Sequence, residues 1–275
     1  MDMNSDLSPF LREHYKGADG LREILKSTKS FTDQIPGKLR GMQTRYLEQN
    51  PSLYTPNQRQ LMGYCLEAYL YKEFSSDWLA EQIWSIVHTG SGDRPLTEVL
   101  WNSFDAHDTA DVDTAALSLL LDNFLVQSAA FIDFYLLYLW MFFRQEPLDK
   151  GFVKWPKVEK MLRSTEEPPF DDKARKILAY LQEKVFSGQI SWNVCSVGNW
   201  GAVVSALRHK VVHRDRALPS LDQGKSLTSI MIRDWADELK SIGCARFCED
   251  VRGDMFYMVS TLAGVLYDEE WKPGL

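Results

Sequence analysis

A run of ten residues without a charge, at positions 134–143 (FYLLYLWMFF), constrains the fold of this 275-residue chain most strongly. The run is about half as long as the ~20 apolar residues that a membrane-spanning helix needs. Extending it toward the N-terminus adds Asp133, Asn123 and Asp122, which are costly in hydrocarbon. We therefore expect a buried helix, in a core or at a subunit interface, and no membrane span.

Apolar residues in the first third of the chain recur at helical spacing. Residues 64–71 carry apolar side chains every three or four positions, and the same spacing continues from Trp78 to Val87. Asp77 precedes this second segment, at a position where its side chain would cap the first turn of a helix. The pattern predicts two successive helices in this part of the chain.

The longest helical pattern covers residues 114–144 and ends before Pro147. No segment alternates apolar and polar residues for long enough to predict a half-buried strand. The predicted fold class is therefore all-α. Later helices are predicted at 173–186, with Asp171 as the N-cap, and at 200–213, 227–242 and 255–266.

Breakers and charged stretches divide the chain into two predicted parts. Residues 88–95 (HTGSGDRP) have the composition of a linker, and acidic residues are frequent from 105 to 113. Beyond this boundary, residues 112–275 are predicted to form a bundle of four to five helices. Residues 1–111 are predicted to be an additional N-terminal helical region, whose role the sequence does not indicate.

Charge and cysteine content narrow the class of protein. The net charge is −7, whereas a protein that binds nucleic acid over its whole surface is normally basic, so any nucleic-acid contact must be local. Four cysteines are too few for a disulfide scaffold of this length. The first residues contain no basic stretch followed by an apolar one, so we expect no signal peptide and a cytoplasmic protein with reduced thiols.

A local basic motif stands out at residues 207–215 (LRHKVVHRD), which hold two of the five histidines. Residues 208–216 contain four cationic residues and one acidic residue, which gives a local charge of +3 in an acidic chain. Such an island focuses an anionic ligand, although cations also gather at the solvated C-terminal end of an ordinary helix. The charged residues are Arg208, Lys210, Arg214 and Arg216, with Asp215 as the one acid.

The helical positions of the motif residues indicate an incomplete site on one chain. Arg208 and His213 are five residues apart, which separates them by about 140° around a helix. His209 and His213 are four residues apart and share a face. A long Arg side chain can still sweep toward His213, but one helix supplies only part of a site, which favours a composite site between two chains.

The motif resembles the signature of HEPN domains, the "higher eukaryotes and prokaryotes nucleotide-binding" family. That signature is an Arg followed after four to six residues by a His, often with Asn, Asp or His directly after the Arg. In this chain Arg208 is followed by His209 in the polar position, and the apolar pair Val211-Val212 precedes His213. The predicted order of a long helix, a second helix and then the motif also fits, and the resemblance covers about residues 112 to 275.

The resemblance implies a metal-independent endoribonuclease that needs no cofactor, with motifs from two protomers meeting in a cleft of a homodimer. It implies that His213 is the acid/base group, that Arg208 clamps the phosphate, and that His209 orients the substrate or His213. Lys210, Arg214 and Arg216 would then follow the RNA backbone. A toxin with an antitoxin partner, or an effector of anti-phage defence, is the expected biological setting.

Two other hypotheses remain open from the residues alone. His209 and His213 are four apart, as are Cys244 and Cys248, and two such pairs on facing helices would suit a tetrahedral zinc site. The two cysteines are most simply small buried hydrophobic residues, and His209 is most simply a surface residue.

The other hypothesis is a non-catalytic interaction module of HEPN-like fold. In it, Arg208 is a structural ion-pair donor to Asp133 or Asp122. Any exposed members of the N-terminal aromatic set would then indicate a protein partner. That set comprises Tyr69, Tyr71, Trp78, Trp84 and Trp101.

Overall fold

A computed structural model of the chain describes residues 34–89, 94, 112–144, 153–187, 199–212 and 243–269. Within these ranges all regular structure is helical and there is no strand, which confirms the all-α prediction. The helices are α1 (Gln34–Gln49), α2 (Pro56–Thr89), α3 (Val112–Arg144), α4 (Trp155–Arg163), α5 (Asp171–Tyr180), α6 (Trp200–Val212) and α7 (Cys244–Tyr267).

The chain forms two compact units, Met1–Gln49 and Asn50–Leu275. Helix α1 belongs to the first unit and all later described helices to the second. The boundary predicted at residue 111 falls between α2 and α3, which form the most extensive pair among the described helices of the second unit. The acidic stretch that suggested the boundary lies mostly outside the described residues.

Helix α2 is continuous over 34 residues, so the prediction of two helices separated at Asp77 is wrong. No glycine or proline occurs between Gly63 and Thr89, and nothing in this stretch stops a helix. Asp77 is therefore an interior residue, and its carboxylate accepts a contact from Arg252 of α7 at 3.2 Å. Next to it, Ser76 is buried and bonds to Ser128 of α3, with 3.1 Å between the two hydroxyl oxygens.

Helix α3 is the central element of the second unit, and its bounds confirm the helix predicted at 114–144. It is also the one described helix that is long and apolar enough to cross a membrane, over Ala116–Arg144. However, 61% of its most apolar window is buried inside the protein. This burial is typical of the core helix of a soluble protein.

Aromatic side chains fill the contact between α2 and α3. The Tyr69 ring of α2 meets Phe131, Tyr135 and Tyr138 of α3 edge-on, at centroid distances of 5.2–6.0 Å. Edge-to-face contacts of this kind add to the free energy gained by burial. Helix α7 joins the same core, because the hydroxyl oxygens of Tyr138 and Tyr267 lie 2.5 Å apart.

A buried lysine closes the C-terminal end of α7. Lys173 of α5 donates to the backbone carbonyls of Val265 and Leu266 at 3.2 and 2.7 Å, and to the Asp268 carboxylate at 2.5 Å. Carbonyls in the last turn of a helix lack hydrogen-bond donors within the helix. The ammonium group of Lys173 supplies the missing donors. Burial lowers the pKa of Lys173, and Asp268 opposes this shift.

Replacing Lys173 with methionine is expected to lower the free energy of unfolding by ~1–3 kcal/mol, because charge-assisted hydrogen bonds to buried carbonyls are lost. Urea denaturation followed by circular dichroism measures this. Lys176→Met is the matched control, since Lys176 is exposed and forms an i,i+4 ion pair with Asp172, and it should cost under ~0.5 kcal/mol. Equal losses in both variants would contradict the capping role.

The remaining helices differ from prediction mainly at their ends. Helix α5 begins at Asp171, with Phe170 as its N-cap and no side-chain cap, so the capping prediction for Asp171 is wrong. A π-helical turn, Leu181–Val185, directly follows α5. Helix α7 begins at Cys244 rather than at 255, and α4 was not predicted. The helix predicted at 227–242 lies outside the described residues.

Candidate functional cleft

An open cleft lies where α3, α4, the end of the π-helical turn and α6 meet. Its volume is about 590 Å³, within the ~300–1,000 Å³ typical of ligand sites. Helix α3 forms one wall and α6 another, and the start of α4 and Phe186 complete the lining. The polar and aromatic lining residues are Asp133, Lys154, Trp155, Phe186, Ser205, Arg208 and His209.

Helix α6 presents one stripe of residues to the cleft. Ala202, Ser205 and His209 are three and four residues apart, so they lie on one helix face. The helix is held by Trp200, its first residue, which is 1% exposed and packs near Phe131 of α3. The buried indole anchors the start of α6 and thereby positions Arg208 and His209 at the cleft.

Arg208 forms an ion pair with Asp133 of α3, with 3.4 Å between guanidinium nitrogen and carboxylate oxygen. Both side chains remain open to solvent, at 43% and 33% exposure. Burial raises the pKa of Asp133, while Arg208 and Lys154 lower it. The arrangement is thus a part-exposed pair at the edge of a cleft, and another anion that enters the cleft can reach the guanidinium.

Two stacked aromatic rings also line the cleft. Trp155 and Phe186 have ring centroids 4.5 Å apart and planes within 13°. Trp155 begins α4, where Pro156 in the first turn suits a helix start. Phe186 follows the π-helical turn, and its N–H donates to the carbonyl of Leu181 at 2.8 Å. The wider turn brings the Phe186 ring to the cleft.

Gly201 allows α6 to approach the π-helical turn closely. A Cβ atom at this position would lie 2.5 Å from the Val185 side chain, 3.1 Å from the Val185 carbonyl oxygen and 3.3 Å from the Phe186 ring. All three distances are shorter than ordinary van der Waals contacts, and one of them is to the backbone. The absence of a side chain at Gly201 therefore sets the spacing between α6 and the aromatic pair.

The structure brings together part of the predicted site. Arg208 and His209 both line the cleft. Lys210 lies on α6. His213, Arg214 and Arg216 lie outside the described residues, so their predicted roles stay predictions.

The amino-acid sequence alone does not indicate Lys154, Trp155 or Phe186 as site residues. They belong to segments far from the motif, and nothing in a linear pattern shows that they meet it. One signal was present: Trp155-Pro156 after a loop is typical of a helix start, and it would have placed α4.

The zinc hypothesis requires His209, His213, Cys244 and Cys248 to converge. Cys244 and Cys248 are buried in α7, and His209 is exposed on α6. Over the residues that the structure describes, no group of three or more His, Cys, Asp or Glu side chains is placed to hold a metal ion. The three described members of this set are therefore not gathered, and His213 lies outside the described residues.

A second charged cluster joins α2 to α7. Arg252 of α7 lies within 4 Å of Asp77, Glu81 and Glu249. Burial raises the pKa of Asp77 to about 6, with Arg252 opposing the shift. One turn earlier on α2, burial raises the pKa of Glu73 to about 7, and Asp77 adds to this effect. The cluster is an interhelical ion-pair network.

Comparisons with known proteins do not indicate a function for this chain. No protein-family model matches the chain, and no curated protein or solved structure is significantly similar to it.

Proposed function

We propose that the chain is a metal-independent endoribonuclease of HEPN-like fold that acts as a homodimer. The motif from Arg208 to His213 is called the Arg-His motif. The observation that carries the proposal is that its first residue, Arg208, lines an open cleft together with His209. A fixed cation with access to solvent can bind phosphate, whereas a fully buried one cannot. The described residues of the unit Asn50–Leu275 form only helices as regular structure, which is compatible with the fold that the motif implies.

The proposed reaction uses the RNA's own 2'-hydroxyl group. A base removes its proton, the 2'-oxygen forms a bond to phosphorus, the bond from phosphorus to the 5'-oxygen breaks, and an acid protonates that oxygen. Histidine suits both proton transfers because its ordinary pKa is near ~6.5, and we assign this role to His213. Arg208 stabilises the charge that builds on the phosphoryl oxygens through paired hydrogen bonds.

The proposal of a homodimer rests on the spacing of the motif in the sequence. Residues five apart in a helix are separated by about 140°, so we propose that Arg208 and His213 of one protomer do not share a face. Two protomers that join near the motif would complete the site, with RNA as the substrate. Lys210, Arg214 and Arg216 are proposed to contact the RNA backbone.

Incubation of the purified protein with a broad panel of RNAs in EDTA tests this proposal. Wild type is expected to cleave and to leave 2',3'-cyclic phosphate and 5'-hydroxyl ends. RNA with 2'-O-methyl groups is expected to resist cleavage. His213→Ala is expected to be slower by about a hundredfold or more. His88→Ala, at an exposed histidine of α2, is the control and should match wild type.

The proposal fails if wild type cleaves none of the RNAs, or if His213→Ala cleaves as fast as the His88→Ala control. Cleavage that stops in EDTA would instead indicate a metal-dependent nuclease.

A second candidate function is a non-catalytic interaction module, with two observations in its favour. Arg208 pairs with Asp133, as that hypothesis requires. On α2, Tyr64 and Tyr71 are 62% and 64% exposed, and exposed aromatic residues are typical of protein-binding surfaces. The part-exposed state of the ion pair favours the ribonuclease, because a purely structural pair gains nothing from an open cleft.

A further inference from the structure

We propose that the stacked pair Trp155–Phe186 binds an unpaired nucleobase of the RNA strand; this inference rests on the ribonuclease function proposed above. It assigns base recognition to two residues outside the Arg-His motif. Arg208 would hold the strand by its phosphate, and the aromatic pair would hold it by a base.

The geometry of the pair suits base stacking. The two rings lie nearly parallel, with centroids 4.5 Å apart, and both side chains are part-exposed at the cleft. Their mutual contact orders both rings before a ligand arrives, which lowers the entropic cost of binding. A base can then stack on the aromatic surface that faces the cleft, and every base has a suitable face.

The aromatic pair and the guanidinium open onto the same cleft. The Phe186 ring lies against Gly201, 3.3 Å from where a Cβ atom would be. Gly201 and Arg208 are seven residues apart, so they lie on nearly the same face of α6 and about 10 Å apart along its axis. A single strand crossing the cleft would contact both within a few nucleotides.

The charges of the cleft favour an anionic ligand. Lys154 and Arg208 are two fixed cations against the single carboxylate of Asp133, which leaves a local charge of +1 in a chain of net charge −7. Such local excess attracts phosphate. Ser205 adds a hydroxyl group for hydrogen bonds to sugar or base.

An unpaired base fits this lining better than a duplex does. Bases in a duplex are stacked on their neighbours, so their faces are not available to Trp155 and Phe186. Sequence-tolerant binding of single strands typically combines a positively charged groove with aromatic side chains. The cleft contains both components.

Binding of an uncleavable strand tests the proposal without requiring catalysis. The probe is a short fluorescein-labelled 2'-O-methyl oligoribonucleotide, and fluorescence anisotropy measures its affinity for the full chain. Trp155→Ala and Phe186→Ala are each expected to weaken binding by roughly tenfold to a hundredfold. Trp84→Ala, at an exposed tryptophan of α2 that does not line the cleft, should bind as wild type does.

Two further arms separate base stacking from a folding defect. Trp155→Phe keeps an aromatic face and is expected to retain most of the affinity lost in Trp155→Ala. Abasic residues are also placed at each probe position in turn. At the position that contacts the pair, the abasic probe should bind wild type about tenfold more weakly than the complete probe does. Trp155→Ala should bind the abasic and the complete probe about equally well.

The outcomes distinguish this inference from the ribonuclease proposal. If wild type cleaves RNA but the Trp155 and Phe186 variants bind the probe as the Trp84 control does, the aromatic-pair inference alone is wrong. If the abasic dependence appears but no RNA is cleaved, base binding stands and the ribonuclease proposal fails. Equal affinity for a duplex probe, or for a free mononucleotide, would also overturn the inference.

Discussion

Arg208→Ala is expected to slow RNA cleavage by about a hundredfold to a thousandfold while changing the free energy of unfolding by no more than ~1 kcal/mol. Removing one group that stabilises charge in a transition state typically has a kinetic effect of that size. The small effect on stability follows from the exposure of the ion pair, since 43% of Arg208 and 33% of Asp133 remain accessible, and such pairs contribute ~0–1 kcal/mol.

Single-turnover cleavage rates and urea denaturation of the same preparations provide the two measurements. Arg246→Ala is the matched control, because Arg246 also pairs with an aspartate, Asp250, and is more exposed at 64%. If Arg208→Ala lost several kcal/mol of stability and cleaved at the wild-type rate, Arg208 would be a structural ion-pair donor. The interaction-module function would then be favoured.

Trp200→Ala is expected to lower the free energy of unfolding by ~3–5 kcal/mol, the range for removing a large aromatic side chain from a packed core. Trp200 is 1% exposed and packs near Phe131 at a centroid distance of 6.5 Å. Because this side chain attaches α6 to α3, we also expect Arg208 to leave its position at the cleft. Cleavage should therefore fall in the folded fraction as well.

Thermal and urea unfolding measure the first effect, and cleavage rates corrected for the folded fraction measure the second. Trp84→Ala serves as the control, since Trp84 is 48% exposed and its loss should cost under ~1 kcal/mol. A Trp200→Ala protein as stable as this control would show that α6 is held to α3 by other contacts.

The sequence predicted the central helix well and the extent of its neighbours less well. An apolar pattern at helical spacing over more than thirty residues indicates a long buried helix. The bounds of α3 agree with the predicted bounds to within two residues. The helix start predicted at Asp77 is wrong, although an aspartate is a good N-cap residue when local sequence alone is considered. The charge of Asp77 is instead satisfied by Arg252, a partner on α7 that no local pattern reveals.

Half of the candidate site was accessible from the sequence. Arg208 and His209 are adjacent in a dense motif, and the interaction-module hypothesis pairs Arg208 with Asp133 or Asp122. Trp155 and Phe186 were not selected, since aromatic residues are usually core residues. Only the start of α4 and the π-helical turn bring these two rings together, and a π-helical turn leaves no strong signal in the amino-acid sequence.

The double role of α3 limits how this protein can change in evolution. One side of α3 forms the core, and Ile132, Asp133 and Leu136 line the cleft. Inserting or deleting one residue within the helix would rotate the residues on one side of that point by about 100° relative to those on the other. Asp133 would then turn away from Arg208, or the aromatic core residues would turn toward water. Descendants of a common ancestor are therefore expected to keep the length of α3 constant, and to accommodate insertions elsewhere in the chain.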